Sequence, residues 1–324
     1  MQQKSTMRTL ILIGIVCSLL IATAFIAGCT SSTPATATPS ATAAPAAPSS
    51  TPAAVQTVAP AEVQTPGATA PATVAATSTP APVYTYSEGN VVAYTAASLS
   101  GVSPKLAEGF EAMYPGHKVV FNLAGTQALK TQIQNGAYAD VFISASQKYT
   151  TELTSGGYFV SGTIKPLTSN YVIVILPKDN PAGIKSLSDL ADPGIKIAMA
   201  DNSVPVGTAT AGVMAKMAKD SGYGAAWNTS VYSNVVTYET SEPAVASKVA
   251  IGEVDAGFVY ESTYNAGQEK YIALSIPKTL NYLQTYQIAV LKESTSKGAA
   301  ADFETFMLSA NGQQILKDYG FRPI

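Results

Sequence analysis

From Asn90 to the C-terminus, short apolar runs alternate with amphipathic stretches, and this alternation narrows the folds open to the chain more than any other feature. Val91–Tyr94 reads as a strand. Leu99, Val102, Leu106, Phe110 and Met113 then recur at spacings of three and four, one face of a helix. Pro115-Gly116 breaks the chain, and Val119–Leu123 reads as the next strand. A helix over Gln127–Gln134 carries Leu129 and Ile133 one turn apart, and Asp140–Ser144, Tyr171–Leu176 and Ile195–Ala200 read as strands. The pattern continues with a helix over Val206–Asp220, a strand over Val235–Tyr238, a helix over Pro243–Ile251 and a strand over Ala256–Tyr260. Strands over Tyr271–Ile276 and Gln287–Leu291 precede a helical end, Ala299–Tyr319, broken at Asn311-Gly312. Such alternation predicts an α/β fold with largely parallel sheets.

The part before Asn90 has a different texture. Lys4 and Arg8 precede an apolar stretch, Leu10–Phe25, which ends in Ile26-Ala-Gly-Cys29. A basic start, a short apolar run and small residues before a cysteine read as a signal peptide, residues 1–28, with lipidation of Cys29 after cleavage. The other reading is an uncleaved membrane-spanning helix, since the run is almost long enough to span. Either way the rest of the chain works outside the cytoplasm, tied to a membrane. Thr30–Ser87 is almost wholly Ala, Thr, Pro, Ser and Val, with Glu62 as its one charge. Too few large apolar side chains are present to offset the entropy of ordering, so residues 29–87 read as a lipidated, disordered tether. As a coil the segment would span about 40 Å.

Composition removes whole classes of chemistry. The two cysteines, Cys17 and Cys29, both belong to the leader, so the remainder has no disulfide, thiol nucleophile or thiolate metal site. His117 is the only histidine and lies in a turn-like Tyr114-Pro-Gly-His-Lys118, where a surface role is expected. A Ser/His/Asp triad or a histidine metal centre is hard to build from it. Net charge is −2, with no basic stripe, so nucleic acid is not an expected partner. Ser275-Ile-Pro-Lys278 has the spacing of acylating serine enzymes, but Pro277 and the strand before it oppose the helical turn that chemistry needs. Glu253 and Asp255 read as a solvated turn, Asp140 as a structural acid at the start of its strand, and Tyr94 as a sheet-packing residue near the first junction. An enzyme is not expected.

Four junctions carry the chemistry. In Tyr94-Thr-Ala-Ala-Ser-Leu99, Leu123-Ala-Gly-Thr-Gln127 and Ser203-Val-Pro-Val-Gly-Thr208, small or hydroxyl residues open a helix. Tyr238-Glu-Thr-Ser-Glu-Pro243 is a fourth, with Pro243 suited to the first helical turn. Helix N-termini leave backbone N–H groups without intrahelical acceptors and carry partial positive charge, so they attract anions. Any single junction is equally an ordinary N-cap. Four at the carboxyl ends of strands are more telling, because open α/β sheets bind ligands along that edge. None contains Lys or Arg. Neutral donors suit a small, fully ionised oxyanion that must also be released.

On these residues the chain resembles the periplasmic molybdate-binding proteins of ABC importers. The resemblance rests on Ala96-Ala-Ser-Leu99, Gly136-Ala-Tyr-Ala-Asp-Val-Phe-Ile-Ser-Ala145, Val204-Pro-Val-Gly207, Gly252-Glu-Val-Asp-Ala-Gly-Phe-Val-Tyr260 and Tyr319-Gly-Phe321, in order, from about Asn90 to Ile324. It implies a type II periplasmic binding protein fold: two lobes, each with a central mostly parallel sheet, joined by a double crossover. Lobe 1 would be residues 88–168 plus 280–324, and lobe 2 residues 169–279. The oxyanion set it implies is Ser98, Thr126, Val206 through its backbone N–H, Glu242 and Tyr260 through its hydroxyl. Thr126 stands where a serine is usual, keeping the hydroxyl. Glu242 departs from the pattern, since a small apolar residue offering only its N–H is usual there. Its side chain is therefore expected to turn to solvent or cap the helix. A carboxylate entering the metal's coordination shell is disfavoured by Val204, where relatives using that arrangement carry an aspartate. Implied partners are molybdate or tungstate, an ABC permease with its cytoplasmic ATPase, and the membrane through the lipid anchor. The expected chain is a monomer without cofactor or directly bound metal. Sulfate, phosphate (whose proton Glu242 could accept) and a ligand sensor of the same fold are the alternatives.

Overall fold

Strand β1 (Asn90–Ala96) is buried on both faces: Val91 and Ala93 point into one apolar cluster, Val92 and Tyr94 into another. A strand of that kind needs helices on both sides. The computed structural model, which describes residues 89–323, supplies them. The leader, Cys29 and the tether over residues 30–87 lie outside the described residues. Helix α1 (Ser103–Met113) covers the first face with Leu106 and Phe110; α2 (Thr126–Gln134) and α3 (Gln147–Ser155) cover the second with Leu129, Ile133 and Leu153. Strands β2 (Lys118–Ala124) and β3 (Val141–Ser144) flank β1 in parallel.

Strand β4 (Lys165–Pro177) belongs to two half-sheets. Residues 165–171 pair with β9 (Leu283–Val290), and residues 172–177 pair with β7 (Ala256–Tyr260) and β8 (Tyr271–Ser275). Strand β5 (Ile197–Ala200) lies in parallel between β6 (Val235–Glu239) and β7. The strand order is β2-β1-β3-β9-β4-β7-β5-β6, with β8 beside β4. The parallel pairing expected from the sequence holds for β1–β3 and for β5–β7. Strands β4 and β9 are antiparallel because one carries the chain out of the first half-sheet and the other brings it back. The remaining helices are α4 (Pro205–Met217), α5 (Gly224–Ser233), α6 (Glu242–Ala250), α7 (Glu261–Asn265), α8 (Lys297–Leu308) and α9 (Ala310–Asp318). Among the described residues no helix is long and apolar enough to cross a membrane.

Several local expectations are revised. Helix α4 stops at Met217 because Asp220 closes a turn, its carboxylate accepting from the Gly222 N–H at 2.8 Å. The C-terminal helical stretch breaks at Ser309, not at Asn311-Gly312; the Ser309 hydroxyl caps α9 by accepting from the Gly312 N–H at 3.2 Å. Gly312 is instead a packing residue, since a Cβ there would sit 2.3 Å from the Phe306 carbonyl oxygen. His117 is half-buried, not a surface residue: its ring stacks on Phe110 at 6.0 Å, with Nδ1 3.7 Å from Asp302.

The expected structural and decoy residues behave as read. Ser275 ends β8 with no helix after it, Glu253 pairs with Lys248 at 2.5 Å, and Asp255 accepts from the Lys196 N–H at 2.8 Å. Tyr94 is packed inside the sheet. Asp140 is fully buried and accepts from the Val92 N–H (2.8 Å), the Tyr138 hydroxyl (2.5 Å) and the Ser294 hydroxyl (2.6 Å). Asp140→Asn should therefore cost about 1–2 kcal/mol, the difference between hydrogen bonds to a charged and to a neutral acceptor. Urea denaturation will measure it, and a variant as stable as the parent would contradict the assignment.

Candidate functional site

Each of the four junctions reaches one small cavity. Ala96, Ala97 and Ser98 come from the end of β1, Gly125 and Thr126 from the end of β2, Val204, Pro205 and Val206 from the β5–α4 turn, and Glu242 from the start of α6. Ala145 after β3 and Tyr260 at the end of β7 complete the wall. All six contributing strands point their carboxyl ends here, the edge at which such sheets bind ligands. The space open to a water's centre is about 10 Å³, roughly what a single water requires. Among the described residues, the lining includes no Lys or Arg.

The sequence explains the local geometry. Pro205 begins α4 and leaves its first-turn amides facing the cavity without intrahelical acceptors. Gly207 is obligatory at the third helical position, because a Cβ would lie 2.0 Å from the Asp201 carbonyl oxygen and 2.6 Å from that of Ala200. Close packing of α4 on the end of β5 is what presents the Val206 N–H. Thr126 opens α2 and is buried, its hydroxyl oxygen accepting from the Ala145 N–H at 3.3 Å. With the lone pair engaged, its proton remains to be donated. The Ser98 hydroxyl lies 2.8 Å from that of Tyr286, and when Tyr286 donates, the Ser98 proton is likewise available.

Tyr260 and Glu242 are the unusual members. The Tyr260 hydroxyl is buried without a protein partner, and burial holds the phenol far above its ordinary pKa, so it is a donor at any physiological pH. Glu242 overturns the expectation of a solvent-facing or helix-capping side chain: it is 3% exposed and points inward. Its Oε1 accepts from the Tyr260 N–H at 3.1 Å and from the Thr263 hydroxyl, both at the start of α7. Those donors, free at a helix N-terminus, draw the carboxyl group in. Its Oε2 is buried with no partner. Burial raises the Glu242 pKa to about 7 against the opposing pull of the two hydrogen bonds.

Residues from the two half-sheets meet beside the cavity. The Gln127 side-chain amide donates to the Thr240 carbonyl at 2.9 Å, and the Tyr149 hydroxyl donates to the Ser203 carbonyl at 2.5 Å. Reading the sequence missed these two, together with Ala145, Thr263 and Tyr286. Ala145 follows a strand as the other junctions do and was open to inference; Tyr286 acts from a residue 188 positions away from Ser98.

Comparison with known proteins fits this geometry. The family profile of the bacterial extracellular solute-binding proteins matches residues 91–322. The chain belongs to that family. This solute-binding protein is 32% identical over 232 residues to the molybdate-binding protein ModA of Mycobacterium tuberculosis, covering 72% of this chain and 84% of the relative. A substrate-binding domain from Clostridium difficile, assigned to a molybdenum ABC transporter, superimposes with a TM-score of 0.56 at 27% identity, over 72% of this chain and 99% of the other. The periplasmic molybdate-binding protein of Azotobacter vinelandii gives a TM-score of 0.62 at 22% identity, over 71% and 98%, a likeness of fold. The fold of this solute-binding protein is the two-lobed architecture of periplasmic binding proteins.

Proposed function

We propose that this solute-binding protein captures molybdate or tungstate outside the cytoplasm and delivers it to an ABC permease, binding and releasing the anion unchanged. The observation that carries the reading is the meeting of four strand-to-helix junctions, from both half-sheets, on one cavity that brings hydroxyl groups and helix-start amides together and includes no Lys or Arg in its lining. In this reading the Ser98 and Thr126 hydroxyls, the first-turn amides around Val206 and Glu242, and the Tyr260 hydroxyl surround the oxyanion. Lobe 1 is residues 88–168 plus 280–324 and lobe 2 residues 169–279, a division supported by the change of β4 partners at Tyr171/Val172. The Gln127–Thr240 and Tyr149–Ser203 bonds belong to the closed form. Ligand that contacts both lobes favours that form by its differential affinity. Residues 1–28 act as the signal peptide, and lipid on Cys29 anchors the protein through the 30–87 tether.

Titration of the purified protein with molybdate, tungstate, sulfate and phosphate, read by calorimetry, tests the assignment; preference for the first two is expected, and indifference to all four would sink it. Tyr260→Phe should weaken molybdate binding by about 1–3 kcal/mol, the cost of one unmade hydrogen bond to a buried charge. An unchanged affinity would remove Tyr260 from the binding set.

A further inference from the structure

A buried carboxyl group in the wall of an anion cavity is a contradiction that only one protonation state resolves. Ionised, Glu242 would face a dianion across a dry pocket with both charges of the same sign. Neutral, the acid gains one O–H donor, and Oε2 is the buried atom without a partner to carry it. We propose that Glu242 is a specificity-determining acid: protonated, it donates a hydrogen bond to a proton-free tetrahedral dianion, so that capture takes up a proton and weakens as pH rises. This rests on the oxyanion reading of the site and goes beyond it, since it couples loading to external pH and selects anions that bring no proton of their own.

The surroundings support a neutral acid. Neither carboxylate oxygen bonds a cation; Oε1 is held by the Tyr260 N–H and the Thr263 hydroxyl. Titratable groups on the neighbouring elements are engaged or uncharged. Tyr260 on β7, Tyr286 on β9 and Tyr271 on β8 are phenols that burial holds above their usual pKa. Glu239 on β6 lies 3.7 Å from Lys248, and Glu261 on α7 is paired with Arg322 at 2.7 Å. Strand β5 (Ile-Ala-Met-Ala) and the turn 97–99 bring no ionisable side chain. On the far side of Glu242 lies a second cavity of about 210 Å³, reached by Lys270, whose ammonium is 3.8 Å from Glu269. Before ligand arrives the group titrates at about 7. An adjacent dianion pushes that value up further, because like charge disfavours ionisation.

The test is calorimetric titration of molybdate, itself fully deprotonated in this range, at pH 6, 7, 8 and 9, in buffers of differing ionisation enthalpy. For the parent protein, affinity should change by no more than about twofold from pH 6 to 7 and fall by ~50-fold from pH 7 to 9, steepening towards tenfold per unit. About one proton should be taken up per anion bound near pH 8. Glu242→Gln, which keeps a donor but cannot ionise, should bind with an affinity constant within about threefold from pH 6 to 9. Parent affinity that is level from pH 7 to 9, or absence of proton uptake, would overturn the proposal without needing the variant. So would a Gln variant that keeps the parent's slope. If the parent binds no molybdate at any pH, the oxyanion reading fails first and takes the proposal with it.

Discussion

Gly207→Ala is expected to destabilise the protein by about 3 kcal/mol and to reduce oxyanion binding at least ~100-fold. The added Cβ would meet main-chain oxygens, Asp201 at 2.0 Å and Ala200 at 2.6 Å, and no rotamer change moves a carbonyl. Alanine gains about 1 kcal/mol of helix propensity over glycine, which is smaller than the cost of overpacking. The strain is relieved only by lifting the start of α4 off the end of β5, and that displaces the Val206 amide from the cavity. Thermal denaturation and calorimetry on the same sample check both parts. A variant with parental melting and parental affinity would show that the β5–α4 turn does not need this contact.

A pH-dependent gain in stability is the second large effect expected, from Glu242→Gln in the ligand-free protein. In the fold the carboxyl group titrates at about 7, above the 4.5 of an exposed glutamate. Between those values the folded state holds a proton that the unfolded chain releases, so the neutral form's stabilisation is complete below the unfolded pKa. It is lost as pH rises through about 7. The whole loss is on the order of 3 kcal/mol at pH 8. Glutamine escapes it, while its carbonyl oxygen still accepts from the Tyr260 N–H and Thr263 hydroxyl. The stability difference between variant and parent should therefore move in the variant's favour by about 3 kcal/mol from pH 4.5 to pH 8. Urea denaturation at both values measures it, and taking differences at each pH cancels the titration of every other group. A constant difference would mean that the carboxyl group is solvated and ordinary.

Both effects concern residues whose sequence signals differed in reach. The junction holding Gly207 was legible because it is local, a strand, a turn and a helix start within a few residues; the packing of Gly207 against the Asp201 and Ala200 carbonyls was not. The junctions of Ser98, Thr126 and Val206 were legible too, since they announce themselves by small and hydroxyl residues after an apolar run. The orientation of Glu242 was not legible, because its partners lie 18 and 21 residues onward, at the end of β7 and on α7. Helices α3 and α5 were missed for a related reason. Each is anchored by a single pair of apolar residues four apart, Tyr149 with Leu153 and Trp227 with Val231, too short a pattern to separate from loop. The first half of β4 was missed because Pro166, Thr168, Ser169 and Asn170 read as an interruption. There the strand pairs with β9, and a proline is tolerated where no second ladder needs its N–H.

The path of β4 and β9 governs how this chain can come into being. On the side away from β1, strand β3 finds its neighbour in β9, which matches Val141 to Val290 across some 150 residues of intervening sequence. Until nearly the last residues have been made, the early strands have an open flank, and closing so long a loop is slow. Late completion keeps the chain open for longer: the first half-sheet has no finished flank, and so no finished core, until β9 arrives.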